Sequence, residues 1–146
     1  MGATFTGGDK FNEFIKKAGR GSIRGVDVGV FASAKYPNGT LVAAVAAWNE
    51  FGTATIPERP ALRNANKSHE KSLLQILKVK VDPETMVVTP RIAALLGTSL
   101  QGAMQQSIVS LSSPANEDST IKGKGSSNTL IASGNYLRSI TYQVKR

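Results

Sequence analysis

Among its 146 residues the chain has no cysteine. That excludes a disulfide framework, thiolate metal sites and cysteine nucleophiles, and it fits a protein kept in a reducing compartment. Histidine is nearly as scarce, with His69 alone. Acidic residues number ten against eighteen basic ones, for a net charge of +8. Such a balance favours contact with polyanions, whether nucleic acid or an acidic protein surface, although the same charge also serves plain solubility. Long hydrophobic runs are missing too. The longest, around Leu41–Trp48, falls far short of the roughly 20 residues that span a bilayer, so no membrane partner is expected. The start, Met1-Gly2-Ala3-Thr4-Phe5-Thr6-Gly7-Gly8, has neither a basic opening nor an apolar run, and no signal peptide is expected.

What is present suits a single structural domain over residues 1–146. Apolar residues make up 40 % of the chain, enough for a core without staples. Asp9 can cap a first helix, Lys10–Ala18, whose Phe11, Phe14, Ile15 and Ala18 share a face. Val26, Val28 and Val30 alternate with Asp27 and Gly29, the period of a half-buried strand. After a Pro37-Asn38-Gly39 turn, Thr40 can cap a second helix through Phe51, with Leu41, Val45 and Trp48 at helical spacing and Gly52 ending it. Pro57 and Pro60 stiffen the connector that follows.

A third helix is predicted from Ala61 to about Lys78. Its apolar face holds Leu62, Ala65, His69, Leu73, Ile76 and Leu77. Asp82-Pro83 marks a turn, and Thr89-Pro90 starts a fourth helix to about Leu111, striped by Ile92, Leu95, Leu96, Leu100, Met104, Ile108 and Leu111. Residues 112–129, rich in Ser, Gly, Lys, Asp and Asn, read as a mobile loop or arm. Ser133 can cap a short helical turn over Gly134–Arg138. Ile140, Tyr142 and Val144 then alternate into a last strand. The expected fold is α+β: about four helices on a small antiparallel sheet that includes the early strand and the C-terminal one.

Little here supports catalysis. His69 lies on the apolar face of the third helix, where a packing role is expected. The acids are scattered, so no metal site and no cofactor is expected. Glu50, between Trp48 and Phe51, is the one carboxylate in an apolar neighbourhood, and a hydrogen bond or ion pair is its expected role. The expected class is therefore non-enzymatic, with no catalytic residues.

Two surfaces stand out instead. From Ile92 to Asn116 no residue is charged, whereas a solvated helix face normally carries charge. Opposite the apolar stripe lie Gly97, Gln101, Gly102, Gln105 and Gln106, small or uncharged side chains that let another backbone approach without burying charge. These are the expected subunit-interface residues; the alternative is a helix covered on both sides within its own domain. On the third helix and its approach, Arg59, Arg63, Lys67 and Lys71 recur every four residues, and Lys78 adds to them. This basic stripe suits DNA or an acidic partner, or is an ordinary solvated face. It lacks the interleaved aromatic residues that single-stranded nucleic acid calls for.

The segments Trp48-Asn49-Glu50-Phe51-Gly52-Thr53, Ile56-Pro57-Glu58-Arg59-Pro60-Ala61-Leu62-Arg63 and Leu130-Ile131-Ala132-Ser133-Gly134-Asn135-Tyr136-Leu137-Arg138-Ser139-Ile140-Thr141-Tyr142 together carry a resemblance. The chain resembles the neck and tail-completion proteins of tailed bacteriophages, also described as minor tail or virion morphogenesis proteins. Its connector motif would be Glu50, Phe51, Gly52, Pro57 and Pro60. Glu58 and Ala61 stand where the family usually has proline and phenylalanine, and Ala132-Ser133 replaces an acidic residue and threonine.

The resemblance implies a structural virion protein of the head–tail junction, a neck, collar or tail-completion subunit assembled in the host cytoplasm. It implies a homo-oligomeric ring around the DNA channel, joined to adjacent head-connector and tail proteins, with non-specific contact to duplex DNA. The rival expectation from the residues alone is a basic DNA-binding module acting by itself.

Overall fold

A computed structural model of the protein describes residues 23–124, 130 and 134–146. In chain order they form β1 (Gly25–Val30), α1 (Val42–Phe51), α2 (Ala61–Lys80), α3 (Pro90–Ser110), α4 (Asp118–Lys124), α5 (Asn135–Ser139) and β2 (Ile140–Lys145). The mixed fold is as expected, with the early and C-terminal strands forming a two-stranded antiparallel sheet. The helix expected over Lys10–Ala18 and the cap expected at Ser133 lie outside the described residues.

The valines of β1 set its pairing: Val26, Val28 and Val30 face Val144, Tyr142 and Ile140 across the ladder. Both strands turn these residues to one side, while Asp27 and Lys145 form an exposed ion pair at 2.7 Å. Two strands alone are marginal in water and need a covering element. Here that element is α3, which packs on α2 with one side and on both strands with another. Thr89 starts α3 as the sequence predicts, its hydroxyl accepting the Ile92 N–H at 3.3 Å ahead of Pro90.

This central position explains much of the uncharged stretch, because a helix touched on two sides has little room for charge. Gly97 is a correction to the expected interface. It is buried against the sheet, and a Cβ there would stand 2.4 Å from the Tyr142 ring. The glycine is what lets β2 lie close to α3.

The core is built from small and medium residues: Val42 and Ala46 of α1, Ala61 and Ala65 of α2, Met104 and Ile108 of α3, then Leu130, Tyr136 and Ile140. Alanines at the crossing of α1 and α2 allow close approach. Here α1 departs from expectation. The stripe Leu41, Val45 and Trp48 is not its inward face; Val42, Ala46 and Glu50 are buried, while Leu41 and Trp48 are exposed. The helix also starts past Thr40, which is held in a turn where Tyr36 donates to the Thr40 carbonyl at 2.9 Å. Leu41 occupies the cap position without a side-chain bond.

The segment expected as an arm over 112–129 carries structure as well. Asp118–Lys124 is helical, and Pro114 to Asn116 are gripped by Arg59. A low-periodicity stretch hid both, since seven helical residues span barely two turns.

Two glycines of α3 separate packing from surface. Gly97→Ala should destabilise the fold by about 1–3 kcal/mol through overpacking against Tyr142. Gly102→Ala, where nothing lies within 4 Å of the added Cβ, should be neutral or stabilising by up to about 1 kcal/mol. Urea unfolding of the two variants checks this, and equal effects would contradict it.

Candidate functional site

Helix α2 begins with three N–H groups, those of Ala61, Leu62 and Arg63, that have no partner in the helix, and Pro60 at its cap position offers no side-chain acceptor. Nor does its first turn hold an acidic residue. The missing acceptor comes from α1. Buried Glu50 accepts the Leu62 N–H at 3.0 Å through Oε2 and the Arg63 N–H at 2.7 Å through Oε1. A carboxylate there answers both the unpaired donors and the positive end of the helix dipole. Lys78 and Lys80 complement the other end.

The chain between the two helices is folded tightly enough to deliver this contact. Gly52 ends α1 with φ 73°, and an added Cβ would press on the Glu58 nitrogen and Ile56 oxygen at 3.1 Å. Thr53 hydroxyl accepts from the N–H groups of Thr55 and Ile56, and its own N–H donates to the Ile56 carbonyl at 2.8 Å. Arg59 N–H then donates to the Asn49 carbonyl at 2.6 Å. Pro60 contributes its fixed φ at the helix start. Of the expected connector motif, Glu50, Gly52 and Pro60 converge on the start of α2, whereas Pro57 is exposed on the outer bend.

Arg59 and Arg63 leave the expected basic stripe at this point. Arg59 is 6 % exposed. Its guanidinium donates to the carbonyls of Pro114 and Ala115 and to Asn116 Oδ1, at 3.0–3.2 Å. Burial lowers its pKa from the ordinary value, yet an arginine stays charged at neutral pH. Arg63 is exposed but spoken for: it bonds the Glu58 carboxylate, the Glu50 carbonyl and Glu50 Oε1, and lies 4.8 Å over the Phe51 ring. The hydrogen bond to Glu58 is the main reason its pKa is raised. Only Lys67, Lys71 and Lys78 remain as an open basic row on α2, with exposed Leu74 among them.

The expected interface residues are likewise divided by α3. Gly102 and Gln106 are exposed, Gln101 and Gln105 are half-buried on a flank, and Gly97 is inside. Gln105 Nε2 donates to the Leu137 carbonyl at 3.3 Å, so it serves the domain's own α5. The open face is completed by Leu95 and Thr98. At 100° per residue, Leu95, Thr98, Gly102 and Gln106 fall in one narrow sector.

A second open face belongs to α1 and was not legible as such. Ala47, Trp48 and Phe51 are exposed along the helix, Trp48 at 46 % and Phe51 at 67 %. The usable signal was Glu50. A carboxylate destined for a partner inside the fold shares its side with residues four and eight positions earlier, Ala46 and Val42. The opposite side therefore has to look outward.

A cleft of about 460 Å³ lies between the connector, α4 and α5, with Tyr136 among its walls. Tyr136 Oη is buried and finds no hydrogen-bond partner among the described residues. Burial first, and then the charge of Glu50, raise its pKa. His69 bonds Ser99 Oγ at 2.8 Å between α2 and α3, as a packing histidine would. Among the described residues no three His, Asp or Glu side chains gather as a metal would require, and no helix is long and apolar enough to cross a membrane.

Comparison with family models, with curated proteins and with solved structures returns no match to this chain.

Glu50→Ala should cost about 1–3 kcal/mol, because two part-buried N–H donors of α2 lose their acceptor; a change under about 0.5 kcal/mol in urea unfolding would contradict the capping role. Tyr136→Phe should be neutral or stabilising at pH 7, since the hydroxyl has no partner among the described residues. A raised tyrosine pKa keeps the folded form neutral while the unfolded chain ionises, so stability falls as pH rises past about 10. Tyr136→Phe should lessen that alkaline loss, and identical pH profiles of the melting temperature would contradict the assignment.

Proposed function

We propose that this chain is a structural subunit of the head–tail junction of a tailed bacteriophage, a neck, collar or tail-completion protein that assembles as a ring around the DNA channel. The observation that carries the self-assembling part is the outward face of α1. From Thr40 to Asn49 no residue is charged, and Leu41, Trp48 and Phe51 stand exposed along it. A helix apolar on both its inner and outer sides is one whose outer side has a partner. The phage assignment rests on the resemblance of the segments around Glu50–Arg63 and Leu130–Tyr142. The connector residues of that resemblance are ones with structural work in this fold, since Glu50 caps α2 and Arg59 and Arg63 tie down its approach.

The stand-alone DNA-binding reading has lost much of its support. Two of the five expected basic residues are engaged within the chain, and the row that remains holds three lysines. Light scattering after size exclusion, together with duplex-DNA binding over a salt series, separates the readings. The subunit reading expects a defined oligomer and weak DNA binding, with a log–log salt slope no steeper than about −3 for three lysine–phosphate contacts. A monomer that binds duplex DNA tightly with a much steeper slope would overturn it.

A further inference from the structure

We infer that the cleft between the connector, α4 and α5 is a binding site for a carboxylate carried on an apolar body, received by the open edge of the Arg59 guanidinium. The site does not depend on the ring reading, and the monomer suffices to test it.

The chain distributes its acids unevenly between two neighbouring arginines. Arg63 is exposed, yet it holds two carboxylates, those of Glu50 and Glu58. Arg59 is 6 % exposed, and among the described residues no carboxylate pairs with it. Its acceptors, the carbonyls of Pro114 and Ala115 and Asn116 Oδ1, are all neutral. They satisfy N–H groups but leave a buried charge without a counter-charge, and such a charge favours an anion. The lowered pKa of Arg59 agrees, since desolvation acts there with no acid opposing it.

One edge of the guanidinium remains to receive that anion. Nε and Nη2 make the three bonds, so Nη1 is the nitrogen without an acceptor among the described residues. Nη1 is not sealed in by protein either. Among the described residues Tyr136 Oη is the one enclosed side-chain oxygen or nitrogen that lacks a partner. Because Arg59 is a wall of the cleft, Nη1 is the part of it that a solute reaches. A carboxylate arriving end-on there makes a charge-assisted hydrogen bond away from bulk water.

The remaining walls restrict the ligand. A volume of about 460 Å³ suits a small molecule or a few residues of peptide. Tyr36, Val45, Ile56 and Pro57 offer apolar surface for its body. Tyr136 is a further wall, with a hydroxyl still lacking an acceptor. Glu117 also lines the cleft, and its charge opposes a phosphate dianion more than a single carboxylate. Two sources share the favoured chemistry: an acidic side chain within a peptide, and the free carboxylate of a chain end or small acid.

The test is an NMR titration of the nitrogen-labelled full chain, read at the amides of Thr55, Ile56 and Thr120 and at Arg59 Nε–H. The probes are N-acetyl-leucine, with a free carboxylate, and N-acetylglutamic acid α-methylamide, with a side-chain one. N-acetyl-leucine amide and inorganic phosphate serve as controls. The expected result is saturable shifts of these signals with at least one acid, in the low-millimolar range that about a dozen heavy atoms support. The neutral amide should bind at least roughly tenfold more weakly, for loss of a hydrogen bond to a charged group. Tighter binding of N-acetyl-leucine assigns the free carboxylate as the source, and tighter binding of the glutamic derivative assigns the side chain. Arg59→Lys should abolish binding. Should that variant fail to fold, Tyr136→Phe decides, and it should weaken binding by roughly tenfold.

No saturable shift with either acid would overturn the site. So would a neutral amide or phosphate that binds as well as the acids, or folded variants that bind like the unaltered chain. None of these results bears on whether the chain forms a ring.

Discussion

The Glu50 carboxylate is the contact on which the rest of this structure turns. It leaves α1 from the buried side and ends on the first free N–H groups of α2, at 2.7 and 3.0 Å. Because the acceptor belongs to a different helix, one interaction does two jobs: it satisfies donors that Pro60 cannot serve, and it fixes the angle and separation of α1 and α2. The tight turn at Gly52 and the Arg59 backbone bond to Asn49 follow from the same requirement. Arg59 extends the constraint to the segment after α3, whose carbonyls it holds. A buried charge-assisted contact of this kind is costly to leave half-made. It therefore specifies one arrangement of the helices rather than merely adding stability.

From that arrangement the surface follows. With Glu50 pinned inward, Val42 and Ala46 must also face the core, and Trp48 and Phe51 must face solvent. The rotation of α1 is thus set by one polar group and not by the larger apolar side chains. In the same way Gly97 sets how near β2 comes to α3, and that closeness turns the opposite sector of α3, at Thr98 and Gly102, outward. Both open faces are consequences of packing decisions made inside.

This also explains which parts of the fold could be read from residues alone. Strong periodic signals survived: the alternating valines of β1, the Ile140-Tyr142-Val144 strand, the face of α2 and the Thr89-Pro90 start of α3. Weak-moment elements did not. In α1 alanines surround the helix, so hydrophobicity has almost no preferred side, and Leu41, Val45 and Trp48, though at helical spacing, do not mark the buried side, which Val42, Ala46 and Glu50 form more than about 100° around the axis. The basic stripe failed for a different reason. Spacing places Arg59 and Arg63 in line with Lys67 and Lys71, but it cannot tell a cation facing solvent from one bonding nearby carbonyls and carboxylates. Arg59 precedes the helix altogether, so helical spacing did not apply to it. The interface set was mixed because uncharged residues line both a buried and an open side of α3, and only the Tyr142 ring against Gly97 separates them.

The molecule is a small α+β unit whose packing lies on the inner sides of its helices, and outward sectors of α1 and α3 remain exposed. The central claim is that copies of it close into a ring at a virion's head–tail junction. Electron microscopy of particles decorated with an antibody against this chain, alongside images of the assembled chain itself, addresses that claim most directly. The account predicts closed rings with an open centre, and label confined to the junction between head and tail. Label absent from particles, with the chain imaged only as separate monomers, would contradict it.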